Sequence, residues 1–323
     1  MRAAVLHTPG EPPSYRSHPD PGPAEGETLV RVTAAPVVPL DLLCATGTSY
    51  FGRPAVPYVP GVQGVGVVER SGTVAAGTRV WFATSAGMAP GDGALAEFCA
   101  VPDADLVPLT GPVPDEVVAS LGLSAVAAWM ALTWRAALEP GERVLVLGAG
   151  GAVGQVAVGA ARLLGAGRVV GVCRSAAAAD RARRAGADEV VTLAGDVDAL
   201  AAAMVEAAGG PVDVVVDPVF GPAATAASRA LGPGGRLVNL GGAASDAAEF
   251  SSAVLRGRSA SILGYTNNAL TAAQRAGAIE AVVERATSGA LAVDHEVLPL
   301  AQVEEGWRRT GAATGRRVVL TAA

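Results

Sequence analysis

From Asp115 onward, near-continuous apolar runs alternate with alanine-rich stretches, and no other feature limits the fold of this chain so severely. The runs are Val144–Leu147, Val169–Val172, Val190–Leu193, Val212–Val216 and Leu237–Leu240. A strand that is apolar on both faces belongs in a parallel sheet covered by helices on either side, so the pattern predicts a doubly wound α/β unit. Ser261–Gly264 is a candidate sixth strand. Ala176–Ala187, with its arginines and single Gly186, reads as a helix and its end.

Before Pro112 the pattern is different. Short β-branched runs, Thr28–Val32, Gly64–Val68 and Arg79–Phe82, are separated by glycine and proline, as in a compact, mainly β unit. The tail returns to that style, with strands expected at Val293–Leu298 and Arg317–Leu320 around a helix near Val303–Arg309. The expected organisation is discontinuous: residues 1–122 and 262–323 form one domain and residues 123–261 the other.

Composition removes several function classes. Half of the 323 residues are hydrophobic, 17% are charged, and the formal net charge is −6, which excludes a disordered chain and a dedicated nucleic-acid binder. All 24 basic residues are arginine, so neither a Schiff-base lysine nor a P-loop lysine is available. Cys44, Cys99 and Cys173 are odd in number and far apart, which points to reduced thiols and a cytoplasmic setting. Met1–Gly10 lacks the apolar core of a signal peptide. Val117–Trp134 and Val144–Ala161 are uncharged and long enough to span a bilayer, but their Gly, Ser and Thr residues suit buried elements better, and no membrane partner is expected.

The glycine-rich turn after the first apolar run carries the chemistry. Ala149-x-Gly151-x-x-Gly154 lies between a strand and a helix beginning near Ala152, the context in which backbone N–H groups and a helix dipole receive a pyrophosphate. A tight turn that only packs would show the same pattern; the second strand at Val169–Val172, arriving at the expected distance, favours the cofactor. The candidate cofactor residues here are Gly150, Gly151, Ala152, Val153 and Gly154. Cys173 stands nineteen positions after Gly154, where NAD-binding proteins usually present an acid to the ribose. The run here is Cys173-Arg174-Ser175. With no carboxylate to repel a 2′-phosphate, and a guanidinium and hydroxyl to hold it, NADPH is expected over NADH, the alternative for Arg174 being an ordinary solvated arginine.

Together with Pro60–Glu69, Leu138–Val146 and Leu231–Val238, this turn resembles the medium-chain dehydrogenase/reductase superfamily, and within it the zinc-independent branch of quinone oxidoreductases and enoyl reductases. The resemblance covers nearly the whole chain. It implies a Rossmann domain for the doubly wound unit, a mainly β, GroES-like catalytic domain completed by the C-terminal segment, and a homodimer. Zinc alcohol dehydrogenases of the superfamily carry a cysteine ahead of a first-domain aspartate and a His-Glu pair in a glycine-rich strand. Those positions fall at Val38, ahead of Asp41, and at Val62 and Gln63, so no catalytic metal is expected. His7, His18 and His295 are solitary, Cys44 and Cys99 read as structural thiols, and Asp41 reads as a structural hydrogen-bonding residue. The chain also departs from quinone oxidoreductases, with Val38, Leu43 and Ala127 where that subgroup commonly has Asn, Tyr and Thr.

Without a metal, charge developing on a substrate oxygen needs hydrogen-bond donors, and a carbon or oxygen must receive a proton. Tyr50 is the candidate catalytic donor, with a half-buried aromatic lid as its alternative; Ser49, and more weakly Thr48, border the same loop. Tyr265 and Asn267 follow the sixth strand as candidate substrate contacts, although an ordinary Asn-rich turn is the better reading of Asn267-Asn268. Leu240, Gly241 and Gly242 end a parallel strand where ligands bind in open α/β sheets, and the resemblance places the nicotinamide there. Arg316 resembles a basic position near the cofactor phosphates, with a solvated surface charge as the default alternative. The expected function is an NADPH-dependent reductase of an activated C=C in an enone, quinone or enoyl thioester. The alternatives are a carbonyl reductase and a non-catalytic NADPH-binding or sensing protein.

Overall fold

The computed structural model describes residues 1–322 and divides into two compact units. The first comprises Met1–Leu123, Ile279–Thr287 and the chain from Val293. It holds β1 (Arg2–Val5), β2 (Ser14–Ser17), β3 (Glu27–Val37), α1 (Pro39–Thr46), β4 (Gln63–Arg70), β5 (Arg79–Ala83), β6 (Phe98–Pro102) and β7 (Leu106–Pro108). The helix α2 (Asp115–Met130) then carries the chain into the second unit. Long alternating strands are enough to make β3 the centre of this unit: it pairs antiparallel with β4 and β6 along its first half. The core there is built from Val30, Val32, Phe82, Leu95 and Val101, all buried.

The second unit comprises Ser124–Ala278 and Ser288–Ala292. Its elements alternate: β8 (Arg143–Leu147), α3 (Ala152–Leu163), β9 (Arg168–Cys173), α4 (Ala176–Arg184), β10 (Glu189–Thr192), α5 (Val197–Ala208), β11 (Val212–Asp217), α6 (Gly221–Ala230), β12 (Leu231–Asn239), α7 (Ser252–Arg258) and β13 (Ser261–Gly264). The six strands form one sheet in the order β10-β9-β8-β11-β12-β13, and every pairing is parallel. This is the doubly wound sheet expected from the apolar runs. Its strand order reverses between β8 and β11, and at the carboxyl ends of those two strands such sheets leave a ligand crevice.

The division differs from the expected one at its second boundary. A cut at 261/262 runs through β13, whose Ile262 lies opposite Leu237 of β12, so the strand stays with the sheet and the second unit continues to Ala278. The helix α8 (Ala272–Thr287) leads out of it, and β14 (His295–Pro299), α9 (Val303–Gly311) and β15 (Arg317–Thr321) complete the first unit. β15 pairs antiparallel with β3, Val318 opposite Val37, so the C-terminal strand is built into the N-terminal sheet.

Asp115–Arg135 is one helical stretch of 21 residues, long and apolar enough to cross a membrane, and 72% of its most apolar window is buried within the protein. It is broken at Gly122, where φ is 36°. Three helices of the second unit open on a side-chain cap, Ser175 on α4, Asp196 on α5 and Ser251 on α7, each side chain accepting a first-turn N–H. Such a cap contributes about 1 kcal/mol. α3 has none.

Candidate functional site

The uncapped opening of α3 is the centre of the first candidate site. Gly148, with φ of 62°, turns the chain out of β8, and its carbonyl accepts the Gly151 N–H at 2.9 Å. Gly151 then enters the helix in extended conformation, leaving the N–H groups of Ala152, Val153 and Gly154 without a side-chain acceptor. A Cβ on Gly154 would lie 2.3 Å from the Gly148 carbonyl oxygen, so this glycine is needed for strand and helix to meet. A Cβ on Gly151 would meet only that oxygen, at 3.4 Å, and otherwise open space. Gly154 therefore packs, and Gly151 keeps a cradle clear. Ala149, where a glycine usually stands, is accommodated by its neighbour: Gly171 on β9 lacks the Cβ that would come within 2.9 Å of the Ala149 Cβ.

Gly150 is held from every side. Its own Cβ would strike the carbonyl oxygen of Ala178 in α4 at 2.5 Å. Its N–H donates to the Cys173 thiol, and its carbonyl accepts from Gln155 Nε2 at 3.2 Å and Arg181 Nε at 2.8 Å. Burial pushes the Cys173 thiol up, so it is a neutral acceptor here and not a reactive thiolate. Arg174 and Ser175 follow it, both exposed. The Ser175 Oγ accepts the Ala178 N–H at 3.3 Å, which leaves the hydroxyl proton available to a ligand.

Across the strand-order reversal, Asp217 ends β11 fully buried. Its carboxylate accepts the N–H groups of Val219 and Phe220 and an Asn239 amide proton, while burial outweighs these bonds and raises its pKa. The same Asn239 amide donates to the Gly241 carbonyl at 2.8 Å. Leu240 is fixed by its N–H to the Asp217 carbonyl at 2.8 Å. Beside Gly241 a Cβ would meet only the Pro218 carbonyl, at 3.5 Å, whereas Gly242 is pressed against Ser245. Tyr265 and Asn267 are brought together: the Tyr265 hydroxyl donates to Asn267 Oδ1 at 2.7 Å, and burial raises the tyrosine's pKa above its ordinary range.

The first unit holds the other candidates. Tyr50 is 80% exposed and stacks on Phe51 at 4.1 Å, so it is not the half-buried lid that was its structural alternative. Ser49, by contrast, is buried near the Cys44 thiol, and its hydroxyl has no hydrogen-bond partner among the described residues. Arg316 bonds to Asp294 at 3.3 Å and lies 3.9 Å from Glu296, so its charge is answered within its own unit. His18 pairs with Asp92 at 2.8 Å, and His295 bonds to the Val293 carbonyl.

Asp41 is a buried acid of this unit, 2% exposed. It closes the first turn of α1 by accepting the Val38 N–H at 2.8 Å and also accepts the Val62 N–H at 2.9 Å. Burial raises its pKa to about 6, against the pull of those N–H groups and of the buried Arg317 guanidinium. Burial lowers Arg317 in turn, to about 10. Gln63 is buried beside them: its Oε1 accepts from Trp81 Nε1 at 3.2 Å and from the Leu123 N–H at 2.6 Å, just past the break at Gly122. Among the described residues no group of three or more His, Cys, Asp or Glu side chains is disposed to hold a metal ion.

Residues 152–284 match the family model of zinc-binding dehydrogenases, and residues 24–112 that of alcohol dehydrogenase GroES-like domains. A zinc-type alcohol dehydrogenase-like protein of Schizosaccharomyces pombe is 32% identical over 238 residues, covering 73% of this chain and 68% of that protein. The chain belongs to the medium-chain dehydrogenase/reductase superfamily. Two solved structures are similar to this medium-chain dehydrogenase/reductase. One is the quinone oxidoreductase of Thermus thermophilus, described also in its complex with NADPH, at 29% identity, all of both chains covered and a TM-score of 0.83. The other is an NAD-dependent alcohol dehydrogenase, at 27% identity, all of both chains and a TM-score of 0.85. As a member of this superfamily the protein is an oxidoreductase of the nicotinamide-cofactor type acting on small molecules.

Sequence reasoning found the turn but missed the residues that support it. Asp217, a lone acid closing an apolar strand, was a readable signal. Gln155 and Arg181 were not, because in sequence they are ordinary polar residues of helices.

Proposed function

We propose that this protein is an NADPH-dependent reductase that transfers hydride, without a metal, to the activated C=C of a conjugated carbonyl compound such as an enone, quinone or enoyl thioester. The observation that carries the reading is the pair of anion cradles on adjacent helices: the uncapped α3 with an open Gly151, and the exposed Arg174-Ser175 before α4, where no acid stands. The first suits a pyrophosphate and the second a 2′-phosphate. Gly150, Gly151, Ala152, Val153 and Gly154 would hold the former, and Cys173, Arg174 and Ser175 would flank the latter. Leu240 and Gly241 leave space beside the end of β12, with Gly242 closing the loop. Arg316 stays a candidate for the cofactor phosphates, in competition with its contacts to Asp294 and Glu296.

When bound, the reduced cofactor supplies the hydride. The chain supplies proton donors, and Tyr50 is the candidate, its hydroxyl exposed and bound to no other group among the described residues. Metal independence rests on chemistry at the superfamily's zinc positions: Val38 and Val62 offer no donor atom, and the Gln63 oxygen is occupied by Trp81 and Leu123. A carbonyl reductase is the second reading, favoured by the similarity to an alcohol dehydrogenase, and in it Tyr50 protonates an alkoxide. A homodimer and a cytoplasmic location belong to the same proposal. The one-sided pairing of the edge strand β13 supports the first, and three buried free thiols support the second.

Turnover of NADPH against enones, quinones, enoyl thioesters and aldehydes, with and without a chelator, tests the reading. It predicts activity on at least one conjugated class, undiminished by the chelator. Activity confined to aldehydes supports the second reading.

A further inference from the structure

Arg181 is buried, 9% exposed in α4, and no carboxylate lies within ion-pair distance of it among the described residues. Its neighbours on the same helix are answered differently: Arg183, for example, pairs with Asp180 at 3.3 Å. A guanidinium has five N–H donors, and the Gly150 carbonyl, at 2.8 Å from Nε, takes one of them. None of its nitrogens is among the buried atoms that lack a partner, so the remaining donors reach the surface beside the turn, where an anion can meet them.

The surroundings indicate which anion. Arg181 reaches back along α4, as helical side chains do, to the side of the glycine turn that packs on Ala178. It is close enough to the Cys173 thiol to lower its pKa. An acid in place of Cys173, as NAD-binding proteins usually have, would neutralise Arg181 from within. The thiol does not, and the next two residues are Arg174 and Ser175.

We propose that Arg181 is the buried cation of the 2′-phosphate pocket: a specificity-determining residue that holds the Gly150 peptide with one edge and gives its charge to the phosphomonoester of NADPH. This rests on the NADPH reading above. Arg174 supplies the exposed charge of the pocket and Arg181 the more sheltered one, which is the less screened by salt.

The test is titration of wild type, Arg181→Met, Arg181→Lys and Arg174→Ala with NADPH, NADH, 2′,5′-ADP and 5′-AMP, each at low and high salt. Arg181→Met is expected to weaken NADPH and 2′,5′-ADP about tenfold or more while NADH and 5′-AMP change less than about twofold. Arg181→Lys is expected to keep most of the preference, because the charge remains. Arg174→Ala is expected to remove more of the salt-dependent part. A wild type that prefers NADPH, with a preference that survives Arg181→Met, overturns this proposal alone. So does an equal loss of NADPH and NADH, which would make Arg181 a support of the turn. A wild type that prefers NADH overturns the cofactor reading and this proposal with it. Should Arg181→Met fail to fold, Arg181→Lys decides, since complete loss of the preference there contradicts a role for charge.

Discussion

At the corner between β8 and α3, the N–H groups of Ala152, Val153 and Gly154 meet no side-chain cap. At the start of β4, the Val62 N–H is taken by Asp41, and the neighbouring Gln63 oxygen is shared by Trp81 and Leu123. Both corners are glycine-rich in sequence, and both occupy positions where the superfamily places chemistry. One has kept its polar groups facing outward and unsatisfied. The other has turned the Val62 N–H and the Gln63 oxygen inward and engaged them in the fold, while the buried Gln63 Nε2 keeps no partner among the described residues. The contrast teaches that a ligand site is recognised by hydrogen-bonding capacity that faces open space, and a structural corner by capacity mostly taken up inside the fold.

Three perturbations probe that difference, the largest first. Gly154→Ala puts a Cβ against a backbone oxygen at 2.3 Å and is expected to destabilise the protein by about 3 kcal/mol in urea unfolding, with cofactor binding lost. Wild-type stability in this variant would mean that strand and helix do not meet as described.

Asp41→Asn probes the inward corner through pH. The folded pKa of Asp41, about 6, lies above its ordinary value of 3.8, so its protonated form favours the fold. The stability it contributes is complete below about pH 4 and is lost as pH rises through 6, a change on the order of 2–3 kcal/mol. The difference in unfolding free energy between wild type and Asp41→Asn is therefore expected to fall by that amount from pH 4 to pH 7. A flat difference would mean that burial does not raise the Asp41 pKa in the folded protein.

Gly151→Ala is the subtlest change and the sharpest discriminator. Its Cβ meets only one atom, at 3.4 Å, and its φ of −82° suits alanine, so stability is expected to hold within about 0.5 kcal/mol. Cofactor affinity is expected to drop about tenfold, roughly 1.4 kcal/mol, because the added methyl fills the cradle. Unchanged affinity would make this corner as structural as the other.

Much of this was legible in the chain itself. Apolar runs of fixed spacing announced the parallel sheet, because that reading depends on residue type at a known place. What escaped was decided by partners remote in sequence. Arg181 and Arg316 look alike as exposed arginines, yet one is buried under Gly150, 31 residues away, and the other is paired with Asp294. Ser49 and Tyr50 are adjacent, and only the tertiary structure turns one inward and the other out. The boundary at 261/262 failed because Ser261–Gly264 is too short to be placed before its pairing with β12 is seen.

The central claim is that the open corner of α3, together with Arg174-Ser175, receives a phosphorylated nicotinamide cofactor. Titration of the purified protein with NADPH and NADH under identical salt tests it most directly. Saturable binding of NADPH, about tenfold or more tighter than NADH, is the predicted result; failure to bind either nucleotide would contradict it.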